Sequence, residues 1–153
     1  MMTKDLRVLI VPCVGLMSLA AGGEAVAGPS SISDVIGLCG PVIALEYQGD
    51  LHSWGECVKG TQDFVNSVLQ VPTTIEDSAQ VAVELVLELS KLYQGGEACE
   101  QFKTELPEAI EVALKIAMDE QRRELIQSIV DSMTTCQTLE TNTVLEGVPA
   151  SGG

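Results

Sequence analysis

Five cysteines, four of them downstream of an apolar N-terminal run, constrain this chain more than any other feature. An even set of cysteines in an exported chain reads as a disulfide framework. Export is read from residues 1–27. Lys4 and Arg7 supply a positive start, weakened by Asp5, and residues 8–21 are apolar and uncharged. Gly22, Gly23 and Glu24 follow, and then a small-residue site at Ala25-Val26-Ala27. This pattern predicts a secretory signal peptide cut before Gly28. The apolar run is too short for a comfortable membrane span. Cys13 lies in mid-run behind Pro12, which is the wrong context for lipidation. No other stretch is apolar for the roughly 18 residues a span needs, so no membrane attachment is expected after cleavage.

Cleavage leaves Cys39, Cys57, Cys99 and Cys136. A zinc site is the competing use of such residues. The chain has no Cys-x-x-Cys pair, and His52 is its one histidine. Two disulfides are therefore expected. Four cysteines allow three connectivities, and the sequence does not choose among them.

The segments that carry these cysteines have helical periodicity. Ile32, Val35, Ile36, Cys39, Val42 and Ile43 recur every three or four residues. Gly40-Pro41 interrupts this stripe and predicts a kink or two short helices. Ser53-Trp54-Gly55-Glu56 is a capping box. It opens a stripe of Trp54, Cys57, Val58, Thr61, Phe64, Val65, Val68 and Leu69 that Pro72 stops. A third helix is expected over 74–94, capped by Thr73-x-x-Glu76 and closed by Gly95-Gly96. Residues 81–89 also alternate like a strand. The length of the segment, its caps and the lack of a partner strand favour a helix. Its Val81, Val83, Leu85, Leu87 and Leu92 widen the apolar stripe almost all round, so other helices should surround it.

Residues 97–102 predict a short helical turn. Pro107 suits a first helical turn, with Glu108 and Glu111 at the positive end of the helix dipole. The apolar stripes of 109–118 and 125–133 are separated by the polar run 119–123. That run is either the exposed middle of one long helix or a hairpin turn with Asp119 as a new cap. An unbroken helix over 107–136 would be about 45 Å long. It would hold Cys99 away from Cys136, since bridged Cα atoms lie roughly 4.4–6.8 Å apart. A hairpin makes Cys99–Cys136 feasible, with Cys39–Cys57 as its companion.

The expected fold is all-α: a small disulfide-stapled bundle of about five helices over 28–138, once the signal peptide is gone. Hydrophobic residues make up 46% of the chain, enough for a core, but aromatics only 3%, so that core must be aliphatic. Residues 139–153 have no periodicity and end in Pro-Ala-Ser-Gly-Gly, which predicts a flexible tail.

The formal net charge is -14. That balance argues against nucleic acid, whose phosphates need a positive footprint, and against docking on anionic membranes. Basic proteins, cations and neutral ligands stay open. His52 and Ser53 could suggest nucleophilic catalysis, but Ser53 is explained as a cap and no orienting acid completes a triad. Cys57 could be a nucleophile only if unbridged. Glu84 with Glu88, and Glu108 with Glu111, are carboxylates about one turn apart. One histidine cannot complete a di-metal bundle, and neither an EF-hand loop nor a phosphate loop is present. No cofactor is expected.

Two functions follow. The first is an exported, non-enzymatic module that binds a protein, either a basic partner or another copy of itself. The second is a carrier of a small apolar ligand held between the second and third helices, with Trp54, Phe64, Val83, Val86 and Leu87 as contacts. Neither Asn66 nor Asn142 begins a glycosylation sequon. This favours a bacterial periplasm or culture fluid over a eukaryotic exterior.

Overall fold

Ser31 stands in extended backbone, and its hydroxyl accepts the Asp34 N–H, starting helix α1 (Ile32–Glu46). The computed structural model describes residues 27–50 and 54–139. Within them α1 is followed by α2 (Glu56–Gln70), α3 (Ile75–Ser90), α4 (Glu97–Gln101), α5 (Leu106–Val112), a 3-10 turn (Ala113–Lys115) and α6 (Glu120–Thr134). The fold is all-helical among the described residues, as the periodicity predicts. The signal-peptide reading of 1–26, His52, Ser53 and the tail from 140 onward lie outside the described residues.

Three local expectations are corrected. Helix α1 runs through Pro41 as one α-helix instead of splitting there. The residue before a proline is normally pushed out of the α region because its Cβ meets the proline ring. Gly40 has no Cβ, so that part of the clash is missing. The cap of α3 is Thr74 and not Thr73. The Thr74 hydroxyl accepts the Asp77 N–H at 3.1 Å and bonds the Asp77 carboxylate at 2.7 Å. The Thr73 hydroxyl pairs with that of Ser78 instead. The N-cap of α2 is Gly55, in the left-handed region at φ 92°, and it has no side-chain cap of its own. Its missing acceptor comes from far along the chain. Glu105 accepts the N–H of Cys57 at 3.4 Å and that of Val58 at 3.1 Å.

The hairpin is the outcome in the last third. Asp119 caps α6 by accepting the Arg122 N–H at 3.1 Å. The chain turns between the 3-10 segment and Asp119, and α5 packs on α6. Arg122 reinforces the turn, reaching Asp119 and, across to the start of α3, Glu76, each at 2.8 Å.

The disulfides are Cys39–Cys57 and Cys99–Cys136, with Cα separations of 4.6 and 5.5 Å. The first ties α1 to α2, and the second ties α4 to the chain just beyond α6. Helix α1 packs on both α2 and α3, and α5 packs on α2, α3 and α6. Gly60 lets α1 and α2 approach closely, since a Cβ there would lie 3.1 Å from Leu38 Cδ2. The core between these helices is aliphatic: Ile43, Leu85, Leu89, Leu106, Ile110 and Ile126 are among its largest fully buried side chains. Among the described residues no helix is long and apolar enough to cross a membrane. Disulfides persist outside the reducing cytoplasm, so the two bridges assign this fold to a non-cytoplasmic setting.

Candidate functional site: an aromatic cavity at the helix ends

Aromatic side chains are scarce here: one Trp, two Tyr and two Phe in 153 residues. Three of these five, Tyr47, Trp54 and Tyr93, line a single cavity of about 300 Å³. All three lie between helices, not within them. Tyr47 follows α1, Trp54 precedes α2, and Tyr93 follows α3. The remaining wall comes from Cys99, Lys103, Thr104, Pro107, Glu108 and Glu111, together with the last turn of α6 and Cys136. The cavity thus forms where helix ends converge and the Cys99–Cys136 bridge closes one side.

The tyrosines are held at their hydroxyl ends. Buried Tyr47 accepts the Gln94 N–H at 3.0 Å through its oxygen, and Tyr93 donates its O–H to the Gln137 carbonyl at 2.9 Å. Burial raises both phenols above their ordinary value, so both rings are neutral at physiological pH. Gly49, at φ 84°, makes the turn after Tyr47, and a Cβ there would lie 3.0 Å from the Phe102 ring. The turn that presents Tyr47 is therefore packed against the segment carrying Lys103 and Thr104.

Two fully buried carboxyl groups adjoin this wall in sequence. Glu46 precedes Tyr47, and Glu105 follows Thr104. Glu46 Oε2 accepts the Glu105 N–H at 3.0 Å, while Glu46 Oε1 is buried without a hydrogen bond. Burial pushes the Glu46 carboxyl up to about 7. The hydrogen bond from the Glu105 amide opposes this rise, and the neighbouring carboxyl groups of Glu105 and Glu108 add to it. Both oxygens of Glu105 are engaged by the amides of α2. The pair locks the end of α1 and the starts of α2 and α5 together.

The structure separates the residues proposed as apolar ligand contacts. Phe64, Val83 and Val86 are buried in the core, and Leu87 is half-buried on α3. Helix α2 packs mainly on α1 and α5, and α3 on α1, α5 and the 3-10 turn, and Phe64 and Val86 belong to one hydrophobic core. Trp54 is 46% exposed and alone among the five lines the cavity. Cys57 is bridged and offers no thiolate. Glu84 accepts from Gln80, and Glu88 pairs with Lys91, both on the solvated side of α3. No group of three potential metal ligands occurs among the described residues.

Sequence reasoning missed Tyr47, Tyr93, Lys103 and Thr104 as site residues, and the Glu46–Glu105 pair. A usable signal was present. Tyr47, Trp54, Tyr93 and Phe102 all sit at segment ends in a chain with almost no aromatics, and Glu46 continues the apolar stripe of Cys39, Val42 and Ile43. No protein-family model matches the chain, and neither the curated proteins nor the solved structures include a match.

Proposed function

We propose that this chain is an exported binding protein, without chemistry of its own, that holds a small molecule in the aromatic cavity at the helix ends. The observation that carries the reading is the gathering of Tyr47, Trp54 and Tyr93 around one space of about 300 Å³. That volume is at the lower end of the range typical of ligand pockets, roughly 300–1,000 Å³. The tyrosine hydroxyls are already bonded to the main chain, so the walls are set before a ligand arrives, which limits the ordering cost of binding. Export to the periplasm or the medium is supported by the apolar run before Gly28 and by the two disulfides. Native mass spectrometry of protein taken from its own source tests the proposal. A small molecule at stoichiometric occupancy, lost in Trp54→Ala, supports it. Bare protein whose Trp54 emission responds to no member of a small-molecule library overturns it.

A second reading, docking of a basic protein, is favoured by the net charge of -14. Capture through exposed charges should weaken with salt, because screening sets in over a Debye length of about 8 Å at physiological ionic strength.

A further inference from the structure

We infer that the cavity recognises a small organic cation of the alkylammonium class, an inference that rests on the proposed binding function and names its ligand chemistry. Three features of the wall converge on this class. The first is the aromatic surface itself. Tyr47, Trp54 and Tyr93 present ring systems whose faces carry negative partial charge and attract a cation within about 6 Å of the ring centre. The Tyr47 oxygen accepts the Gln94 N–H and Tyr93 donates to the Gln137 carbonyl, so both rings are fixed in the wall and offer a ligand π surface.

The second is the charge at the rim. Glu108 and Glu111 lie one turn apart on α5, both exposed and both lining the cavity, with Lys103 as the one cationic side chain of the described wall. Carboxylates accept hydrogen bonds and do not donate them. An anion would meet two negative groups against one positive. A neutral apolar molecule seated among them would desolvate carboxylates without replacing their water, which is costly. An ammonium group compensates them. The third feature is the floor. The Cys99–Cys136 sulfurs and Met133 are soft, polarizable surface, and N-methyl or N-alkyl groups pack on such surface without asking for hydrogen bonds. Around the site the net charge of -14 raises the local concentration of cations.

The lone tryptophan of the chain sits in the cavity wall, so its emission reports on the site directly. The probes are choline and its neutral isostere 3,3-dimethylbutan-1-ol, titrated into the disulfide-intact protein at constant ionic strength. Choline should shift Trp54 emission saturably, with a Kd at least about tenfold below that of the isostere, the factor that 1.4 kcal/mol of cation–π and ionic attraction corresponds to. Glu108→Gln with Glu111→Gln should remove most of that preference while leaving helical circular dichroism unchanged, since both side chains are exposed. Equal affinity for the two probes overturns the cation assignment and leaves a neutral-ligand carrier standing. Saturable binding of neither probe, together with bare protein in the native mass spectrum, removes both this inference and the binding function beneath it.

Discussion

The two disulfides join helices of one small fold, yet their surroundings are opposites. Cys39 and Cys57 have no exposed surface and fall on the apolar stripes of two fifteen-residue helices. Beside them Thr61 donates to the Cys57 carbonyl, and Glu105 accepts the Cys57 amide. Cys99 sits on a five-residue helix, and Cys136 lies past the end of α6 in left-handed backbone at φ 56°. Both of these line the cavity. One bridge is interior packing that happens to be covalent. The other fastens the loops that make a concave surface. A small chain can therefore use the same bond to fill a core and to build a site.

Removing each bridge separates these roles and should have the largest effect on stability. In the loop-entropy account the 18-residue separation is worth about 3 kcal/mol and the 37-residue separation about 4. Burial reverses that order. Cys39→Ala with Cys57→Ala leaves a cavity between α1 and α2 in addition to freeing the loop, and the expected loss is about 4–5 kcal/mol. Cys99→Ala with Cys136→Ala should lose no more than the loop term, about 4 kcal/mol, because Cys136 is only half-buried and the pair lines an existing cavity, so little new void is left. Urea unfolding of both double variants measures the order. Mild reductant followed by alkylation should trap Cys99 and Cys136 first, since attack on a disulfide requires access. If the longer loop proves the costlier one to free, denatured-state entropy outweighs burial here and the contrast between the bridges fails.

Next in size is Glu105, which joins the two regions. Glu105→Ala leaves the Cys57 and Val58 amides without their acceptor inside the fold and should cost about 2–3 kcal/mol. Glu105→Gln keeps an acceptor and should cost less. A loss of less than 0.5 kcal/mol in the alanine variant, at the level of a neutral surface change, would mean that solvent reaches these amides after all.

How much of this was legible in the sequence differs between the same two regions. The stripe through Val35, Cys39, Val42 and Ile43, and that through Cys57, Phe64 and Val65, placed the interior bridge on facing helices. Asp119 was readable as a cap because Asp is a strong N-cap residue standing before a new apolar stripe. The cavity was not readable in this way. Its residues belong to helix ends, whose direction in space depends on turns with no period, such as that at Gly49. Pro41 misled because its usual effect is judged from proline alone, while the glycine before it removes the Cβ part of the clash. Glu105 was hidden because it caps a helix about 50 positions earlier in the chain, and local motifs look only three or four residues ahead. Phe64, Val83 and Val86 were legible as apolar, and each is buried.

The buried acid pair gives the fold a pH dependence of intermediate size. Glu46 has an ordinary value of 4.5 and is pushed up to about 7 by burial, with the carboxyl groups of Glu105 and Glu108 adding to the effect. Between these values the folded protein holds a proton that the unfolded chain releases. Stability contributed by this group should therefore be full below about pH 4.5 and fall as pH rises to about 7, by roughly 3 kcal/mol at 1.36 kcal/mol per unit. Asp34 and Asp119 are lowered by their hydrogen bonds to Ser31 and Arg122 and act in the opposite sense, but below this window. Denaturant midpoints at pH 5 and pH 8 measure the slope. Glu46→Gln should flatten it, because the amide cannot ionise. A wild-type midpoint that is level across that range would show Glu46 to be ionised in the fold throughout.

The smallest expected stability change belongs to Trp54, on which the proposed binding rests. Trp54 and Phe64 were grouped by sequence as contacts of one ligand, and the structure places them in different settings. Phe64 is 5% exposed in the core, so Phe64→Ala should cost about 3–4 kcal/mol. Trp54 is 46% exposed and lines the cavity, so Trp54→Ala should cost about 1 kcal/mol or less. Its emission is lost with the residue, so ligand release from the variant is read by equilibrium dialysis of radiolabelled choline. Near-wild-type unfolding together with lost choline retention assigns the aromatic surface to binding and not to folding. A Trp54→Ala variant that unfolds as readily as Phe64→Ala would make the indole a structural support, and the rim of the cavity would then belong to the core it was contrasted with.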